Sequence, residues 1–208
     1  MRGVIAGDTG FVIEGFPRSG NTFATAAFGM AKSGPLPKVA HHTHAAAVVI
    51  AAARRGIPVL LLIRRPGDAV LSVAVRQPDL SLRAAFRAYI GFYGPLLRYR
   101  DDLVVATFEE VVRDFGAVTT RVNERFGTSF GIFEHTDGNV RKALALIEAE
   151  EEDRYGPGRK LQERAAFPSE ERTRLKEELR AGDHWDELRT LRARAERIYE
   201  VFTGESPA

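Results

Sequence analysis

The sequence predicts an α/β fold in three layers, with helices on both faces of a central parallel β-sheet. Short β-forming segments alternate with helical segments along the chain, which is the order that produces parallel strands. Ile57–Ile63 is apolar at consecutive positions, as expected for a strand covered on both faces. The length of 208 residues suits a single domain, 1–208, with a proper hydrophobic core.

The first half of the chain begins with the strand Phe11–Glu14, which leads into a glycine-containing loop. Thr22–Lys32 is rich in alanine and is predicted to be helical. Two prolines follow it, and Lys38–Ala40 is a short candidate strand before a cluster of histidines. Ala45–Arg55 is a second predicted helix, which ends at Gly56.

The second half continues the alternation. The strand Ile57–Ile63 is predicted to lie in the middle of the sheet, and Pro66 suits the first position of the next helix because its φ is fixed there. The remaining predicted elements are the helix Ser81–Arg100, the strand Leu103–Thr107, the helix Phe108–Phe126, which Gly116 could interrupt, and the closing helices Ser169–Leu179 and His184–Phe202. The aromatic residues expected in the core or in an acceptor pocket are Phe86, Tyr89, Phe92, Tyr93 and Trp185.

The segment 148–168 differs from the rest of the chain. It is strongly charged, contains Gly156, Pro157 and Gly158, and has no apolar period. We expect a flexible flap or surface loop there, with the acidic run Glu148–Asp153 on a solvated face.

Composition excludes several classes of protein. A hydrophobic fraction of 44% and a net charge of +2 exclude a mainly disordered chain. The cations are spread along the sequence, so nucleic acid is not the expected partner. No apolar stretch is long enough to span a membrane, no secretory signal is evident, and the absence of cysteine fits a reducing compartment, so we expect a cytoplasmic protein.

The loop GFPRSGNT, which follows the first strand, has the spacing of an anion-binding loop. Gly15 and Gly20 frame it and Thr22 ends it with a hydroxyl group, so its amides and a helix N-terminus can face one anion. A nucleoside triphosphatase needs a lysine where this chain has Asn21. An incidental glycine turn is the alternative interpretation of this segment.

The central strand is followed by cations rather than by a metal-binding carboxylate. Arg64 and Arg65 come directly after Ile63, where a triphosphatase commonly has an acidic residue that holds magnesium. The two segments together favour a site for an anion and no metal site.

These two segments resemble the motifs of the sulfotransferases that use 3′-phosphoadenosine 5′-phosphosulfate (PAPS). The 5′-phosphosulfate loop of that family corresponds here to Pro17, Arg18, Ser19, Gly20, Asn21, Thr22 and Phe23. Its 3′-phosphate motif, Arg, then Asp, then Ser at intervals of four, corresponds to Arg64, Asp68 and Ser72. A weaker match, Phe108 to Val111, is expected to be structural. The resemblance covers roughly 11–130 and implies a P-loop NTPase-like fold of the sulfotransferase type.

The resemblance implies an enzyme that transfers a sulfuryl group from PAPS to a hydroxyl or an amine. Arg18 would offset the negative charge that grows on the bridging oxygen, while Arg64 and Ser72 would bind the 3′-phosphate. The alternative is that Arg64 pairs with Asp68 on the surface and that Ser72 is an ordinary helix residue. The family's third donor-binding segment is not recognisable, and the best substitutes for it are Arg159 and Lys160.

His44 is the best candidate for the base that deprotonates the acceptor. In the family a Lys-Thr-His run often follows the second strand, and here His42, Thr43 and His44 stand in its place. The alternatives are that this segment only caps the next helix or is exposed, that a carboxylate is the base, or that the histidines bind a metal. The two-residue spacing and the lack of a following carboxylate disfavour the metal.

Two other functions remain open from the sequence alone. A small-molecule kinase with a degenerate loop would need ATP and magnesium, whereas a non-catalytic nucleotide-binding module would bind the donor without turning it over. The acceptor of an active enzyme would be a small molecule, a glycan or a lipid, and the sequence does not identify it.

Overall fold

The computed structural model describes residues 5–31, 36–156 and 170–205. Four strands form one parallel sheet in the order β2-β1-β3-β4, with β1 at Thr9–Gly15, β2 at Lys38–His41, β3 at Val59–Ile63 and β4 at Val104–Thr107. Ile13 pairs with His41 on one side and with Leu60 on the other. All five residues of β3 are fully buried, which confirms the predicted central position of this strand.

The helices connect and cover these strands, and their bounds are α1 Asn21–Met30, α2 Ala46–Arg54, α3 Pro66–Arg76, α4 Leu82–Tyr93, α5 Phe108–Arg113, α6 Phe115–Phe126, α7 Asp137–Tyr155, α8 Glu170–Ala181, α9 Asp183–Glu187 and α10 Arg189–Thr203. A 3₁₀ helix, Gly94–Asp102, follows α4. None of the helices in the described ranges is long and apolar enough to cross a membrane.

Alternate residues of each strand face opposite layers, because successive side chains of a strand point to opposite faces. Val12 and Leu61 pack in one hydrophobic cluster with residues of α2, α3, α4 and α10. Ile13 and Leu62 pack in a second cluster with residues of α1, α5 and α6. The predicted three-layer α/β fold with a central parallel sheet is therefore confirmed.

Two helix boundaries differ from the predicted ones. The predicted helix Ser81–Arg100 changes to 3₁₀ geometry after Tyr93, and Pro95, which has no N–H to donate, lies in the first turn of the 3₁₀ segment. The break between α5 and α6 falls at Asp114, whose side chain caps α6, and not at Gly116. A Cβ at Gly116 would lie 2.4 Å from the carbonyl oxygen of Phe133, so this glycine serves close packing.

The predicted flap at 148–168 is wrong for its first part. Residues 148–155 continue α7, which ends at Gly156 with a φ of 74°. Between Asp137 and Arg154 the buried positions of this helix are Ala143, Ile147 and Glu151, spaced by four residues, so a carboxylate stands where the pattern of a buried helix face calls for an apolar residue. The rest of the predicted flap, 157–168, lies outside the described residues.

Candidate anion-binding site

The loop from Gly15 to Gly20 connects the end of β1 to the start of α1 at the carboxyl edge of the sheet. Gly15 packs so closely on β3 that a Cβ would lie 2.4 Å from the carbonyl oxygen of Leu62. Arg18 and Gly20 adopt positive φ angles of 72° and 93°. This conformation is uncommon for a residue with a side chain, and it turns the chain sharply into the first turn of α1.

Tyr93 of α4 holds this loop from below. Its hydroxyl group donates to the carbonyl oxygen of Leu62 at 2.6 Å and accepts from the amide of Phe16 at 3.1 Å. The hydroxyl of Ser19 lies 3.4 Å away from the same oxygen. Burial raises the pKa of Tyr93, so the phenol stays protonated and can donate. Tyr93 is thus a core residue that supports the loop, a role the sequence did not indicate.

The residues that begin α1 divide between the loop and the core. The Nδ2 group of Asn21 donates to the carbonyl oxygen of Phe16 at 3.1 Å, so this buried amide closes the loop on itself instead of reaching outward as a lysine would. Thr22 shares a hydrogen bond of 3.2 Å with Nε2 of His42. Phe23 turns its ring towards Phe133 in the second hydrophobic cluster.

The structure brings the two predicted motifs into contact. Nε of Arg18 donates to Oγ of Ser72 at 2.9 Å, although the residues are 54 positions apart. A terminal nitrogen of Arg64 donates to the carbonyl oxygen of Arg18 at 3.2 Å. Ser72 is buried. The first and second motifs therefore form one site.

Arg64 is held in place by an aromatic ring and not by Asp68. Its guanidinium lies over the ring of Phe108 at 4.0 Å from the centroid, a cation–π arrangement. Asp68 pairs instead with Arg180 of α8 at 3.1 Å, so the predicted alternative of a surface Arg64–Asp68 pair is wrong. Burial lowers the pKa of Arg64, and its buried Nε has no hydrogen-bond partner among the described residues.

Phe108 and its neighbours also have the structural role expected of them. Glu110 and Thr107 form a reciprocal capping box at the start of α5, with bonds of 2.7 and 3.1 Å. Val111 is buried in the second cluster.

Helix α8 adds cations that sequence reasoning did not find. Arg172, Lys176 and Arg180 recur every four residues on α8, and this helix packs against α3. On α3, Asp68 and Arg76 recur at the same interval together with Ser72. The Arg180–Asp68 pair fixes one end of this contact, so the two stripes of residues run side by side in opposite directions.

The positive charges near Arg18 repel one another. Burial, followed by the charges of Arg76, Arg172 and Arg64, lowers the pKa of Arg18 to about 10. Burial, followed by the charges of Arg64 and Arg18, also lowers the pKa of Lys176. A bound anion would relieve both the repulsion and the loss of hydration. The arrangement is therefore suited to a multiply charged anion.

Glu151 is an acidic residue whose charge partly offsets the repulsion among these cations. It was predicted to lie on a solvated face, but its side chain is only 7% exposed, and its charge acts on both Arg18 and Arg172 to raise their pKa values. The other residues of the run Glu148–Asp153 are exposed, as predicted.

His44 lies beside the loop with a defined tautomer. Its Nδ1 is 2.8 Å from the carbonyl oxygen of Gly15, and a carbonyl only accepts hydrogen bonds, so Nδ1 carries the proton. In the neutral ring the lone pair is therefore on Nε2, which leaves that nitrogen able to take a proton. This arrangement is compatible with the predicted base.

The other two histidines are engaged with protein groups. Nδ1 of His42 and Nδ1 of His41 are 2.6 Å apart, and Nε2 of His42 bonds Thr22. In the described ranges, no three His, Asp or Glu side chains are placed so that they could hold a metal ion. Arg159 and Lys160, which were predicted to complete the donor site, lie outside the described residues.

The roles of three residues of this region were not predicted from the sequence. Glu14 was read only as the end of a strand, yet its fully buried carboxylate accepts hydrogen bonds from the amides of Thr43 and His44 at 2.7 and 3.1 Å. A carboxylate inside an otherwise apolar strand was the signal available for it. The only signal for Lys176 was its spacing from Arg172 and Arg180. Tyr93 was expected in the core or in an acceptor pocket, and it is fully buried, but nothing indicated its contact with the loop.

Comparison with known proteins bears on the fold of the chain. No family model matches the sequence, and no curated protein matches it. Among solved structures, the chain is similar to a mouse sulfotransferase, SULT7A1, determined in complex with PAP, with a TM-score of 0.50 and 11% sequence identity over 89% of this chain and 90% of the other. At this identity the similarity concerns the fold. The chain therefore has the α/β fold of this sulfotransferase, and the predicted fold relationship is confirmed.

Proposed function

We propose that the chain is a sulfotransferase that transfers the sulfuryl group of PAPS to a hydroxyl or amine of a small-molecule, glycan or lipid acceptor. The observation that carries the proposal is the hydrogen bond between Arg18 and Ser72. It joins a phosphate-type loop to a second cationic motif at one edge of a parallel sheet, where α/β proteins bind nucleotides. The fold shared with a sulfotransferase that was determined with PAP adds support.

The residues at this edge suit a ligand with separated anionic groups. The first amides of α1 and the loop would receive the 5′-phosphosulfate, as helix N-termini and glycine loops receive phosphate. The buried Nε of Arg64, which has no partner in the described ranges, and the hydroxyl of Ser72 would receive the 3′-phosphate. Arg18, Arg64 and Lys176 are partly buried, and after the larger effect of burial the charges of Arg64 and Arg18 lower the pKa of Lys176, so a bound anion would offset this repulsion.

Helix α8 takes part in donor binding in this proposal. Lys176 lies close enough to Arg64 and Arg18 for its pKa to respond to both charges. Arg172, which is 9% exposed, lies close enough to Arg18 for its charge to lower the pKa of that residue, and the charge of Arg76 lowers the pKa of Arg172 after the larger effect of burial. These residues, carried by a helix, provide positive charge beside the first two motifs, where Arg159 and Lys160 were predicted to contribute.

The reaction needs one bond to form and one to break. The acceptor oxygen or nitrogen forms a bond to sulfur, while the bond between sulfur and the bridging oxygen breaks and leaves its electron pair on the 5′-phosphate. Arg18 stabilises that charge, in the manner of an oxyanion donor. Nε2 of His44 takes the proton of the acceptor, because Nδ1 already carries a proton bonded to Gly15.

Titration calorimetry tests the proposal directly. We expect 3′-phosphoadenosine 5′-phosphate (PAP), the desulfated product, to bind without divalent metal, and ATP to bind more weakly whether or not magnesium is present. A screen of alcohols and amines with sulfur-labelled PAPS then measures transfer. Tight binding of ATP that requires magnesium would indicate a kinase instead. Binding of PAP with no labelled product from any acceptor would indicate a non-catalytic module.

A further inference from the structure

The fully buried carboxylate of Glu14 contacts the turn formed by His42, Thr43 and His44. Glu14 is on β1, next to the first glycine of the loop, and its neighbours on the sheet are apolar residues of β3. Burial of a carboxylate is costly unless its oxygens accept hydrogen bonds. Both oxygens do so here, from the backbone amides of Thr43 and His44. The carboxylate therefore has a specific task in this turn.

The turn that Glu14 supports has an unusual backbone. His42 and His44 both adopt left-handed φ angles, 58° and 50°, and neither is glycine. Such conformations persist where the surrounding structure fixes them. The two amides that Glu14 binds belong to Thr43 and His44, so the carboxylate fixes the backbone between and at these two residues. Without it, the chain would relax towards commoner angles and redirect the His44 side chain.

The same end of β1 fixes the ring of His44. Its Nδ1–H donates to the carbonyl oxygen of Gly15, the residue that follows Glu14. The main chain of His44 is thus held by Glu14 and its ring by Gly15. Two adjacent residues of one buried strand determine both where His44 lies and which of its nitrogens is free.

We propose that Glu14 is a positioning residue, which holds the His42–His44 turn so that Nε2 of His44 is presented to the acceptor. The inference rests on the proposed function, since it is His44 that takes the proton there. Glu14 itself is not the base, because it is fully buried and both of its oxygens are occupied. Burial raises the pKa of Glu14, and the hydrogen bonds from Thr43 and His44 oppose that effect by stabilising the carboxylate.

The test measures the tautomer of His44 in the Glu14→Gln variant. Glutamine keeps the size of the side chain, but its NH₂ group must face one of the two amides, so at least one hydrogen bond is lost. Long-range ¹H–¹⁵N spectra distinguish a histidine protonated on Nδ1 from one protonated on Nε2. His135 is the matched control, because its Nδ1 accepts from the amide of Phe115 and it should therefore have the opposite tautomer.

We expect wild-type His44 to give the Nδ1–H pattern and the variant to give a mixture of tautomers, with His135 unchanged in both. An unchanged His44 pattern in the variant would overturn the inference. If the variant does not fold, amide hydrogen exchange on the wild type decides: the amides of Thr43 and His44 should be protected relative to exposed Ala47 in the first turn of α2. Equal exchange rates would also overturn the inference.

Activity separates this inference from the proposed function. In Glu14→Gln we expect kcat to fall by about tenfold or more, while PAP affinity stays within about twofold of the wild type, because the carboxylate of Glu14 bonds the amides of Thr43 and His44 and not Arg18, Arg64 or Ser72. The tautomer and exchange results do not depend on turnover. If they hold while no acceptor is sulfated, the positioning role stands and the sulfotransferase proposal fails. If turnover falls in His44→Ala but the tautomer of His44 is unchanged in Glu14→Gln, the sulfotransferase proposal stands and the positioning role of Glu14 fails.

Discussion

Arg18 carries its charge where the surrounding protein disfavours it. Its guanidinium is largely buried, three other arginines lie near it, and its pKa falls to about 10. It remains cationic at neutral pH, since that value is still far above 7. A side chain held in this way interacts more strongly with an anion than one in free solution, because water competes less for it.

Replacement of Arg18 by alanine should lower turnover by about a hundredfold or more, because it removes the cation beside the bridging oxygen. The measurement is kcat with labelled PAPS and an acceptor found by screening. Arg87→Ala is the control, since Arg87 is an exposed arginine of α4 outside the site. Turnover of Arg18→Ala equal to that of Arg87→Ala would remove Arg18 from the mechanism.

The buried Glu14 should also make stability depend on pH. Burial raises the pKa of Glu14 above its ordinary value of 4.5. At a pH between the unfolded and the folded pKa, Glu14 is therefore protonated in the folded chain and ionised in the unfolded chain. The stability from this proton is fully present below pH 4.5 and is lost as the pH rises through the folded pKa. In urea unfolding between about pH 4 and pH 8, the free energy of the wild type minus that of Glu14→Gln should decrease as the pH rises. A difference that grows with pH would contradict this.

At the scale of residues, the sequence indicated the residues proposed to bind the donor but not the residues that hold them and His44 in place. Arg18 and Arg64 could be singled out because they lie in segments that directly follow strands, and Ser72 because the resemblance to the sulfotransferases assigns its position. Glu14 and Tyr93 could not be found in this way, because their buried side chains act through contacts between segments that are distant in the sequence. The hydroxyl of Tyr93 reaches Phe16 across 77 positions of sequence, and no local pattern encodes such a contact.

Among the elements, β1 packs closely against β3 at the residue where its loop begins. Gly15→Ala would place a methyl group 2.4 Å from a backbone oxygen of β3, which cannot move without breaking the sheet. We expect this variant to lose about 1–3 kcal/mol of unfolding free energy or more, as overpacked core variants do. Urea denaturation monitored by circular dichroism measures the loss.

Gly29→Ala is the matched control for that substitution. A Cβ at Gly29, inside α1, meets nothing within 4 Å, so alanine should stabilise the helix by about 0.5–1 kcal/mol. The two Gly→Ala variants should therefore change stability in opposite directions. Similar changes in both would show that the contact between Gly15 and Leu62 is not as close as described.

The contact between α3 and α8 can be tested at Lys176. Lys176→Ala should weaken PAP binding by about tenfold, since a charge-assisted contact is lost, and the difference from wild type should shrink as salt is added. Arg174→Ala is the control, because Arg174 lies on the same helix with a side chain that is 69% exposed. Calorimetry at low and high salt makes the comparison. Equal losses in both variants would point to a general charge effect.

Helix α8 shows how far elements can be predicted. Its approximate position was found from a cap and from helix-forming residues, but its partner helix was not, because α3 and α8 are about a hundred residues apart in the chain. Helix α7 was missed for a different reason. Its inner face includes Glu151, and a carboxylate in a buried position removes the apolar period on which such predictions depend.

For the whole molecule, ligand binding and folding are linked. A ligand that binds only the folded chain, present at a hundred times its Kd, adds about 2.7 kcal/mol to the unfolding free energy. For a domain of this size, we expect PAP at that concentration to raise the melting temperature by about 5–10 °C. Adenosine, which has no phosphate, should give no shift. An equal shift with adenosine would mean that the anionic groups contribute little.

The architecture as a whole was the most predictable feature. Consecutive apolar residues in Val59–Ile63 specify a strand buried on both faces, and the alternation of strands with helices specifies parallel pairing. The strand order follows from packing across the sheet and is not written in any single segment. Both motifs were predicted to follow strands directly, and in a parallel sheet the carboxyl ends of the strands lie at one edge. The position of the candidate site at that edge agrees with this pattern.

The support that Tyr93 gives the loop has a kinetic consequence. One phenolic oxygen ties the start of the loop to the neighbouring strand before any nucleotide arrives, so the cradle is pre-organised. Stopped-flow association of PAP should then be a single bimolecular phase whose rate rises in proportion to nucleotide concentration. In Tyr93→Phe, where the amide of Phe16 loses its acceptor, a slower step independent of concentration should emerge as the loop must reorganise around each incoming molecule.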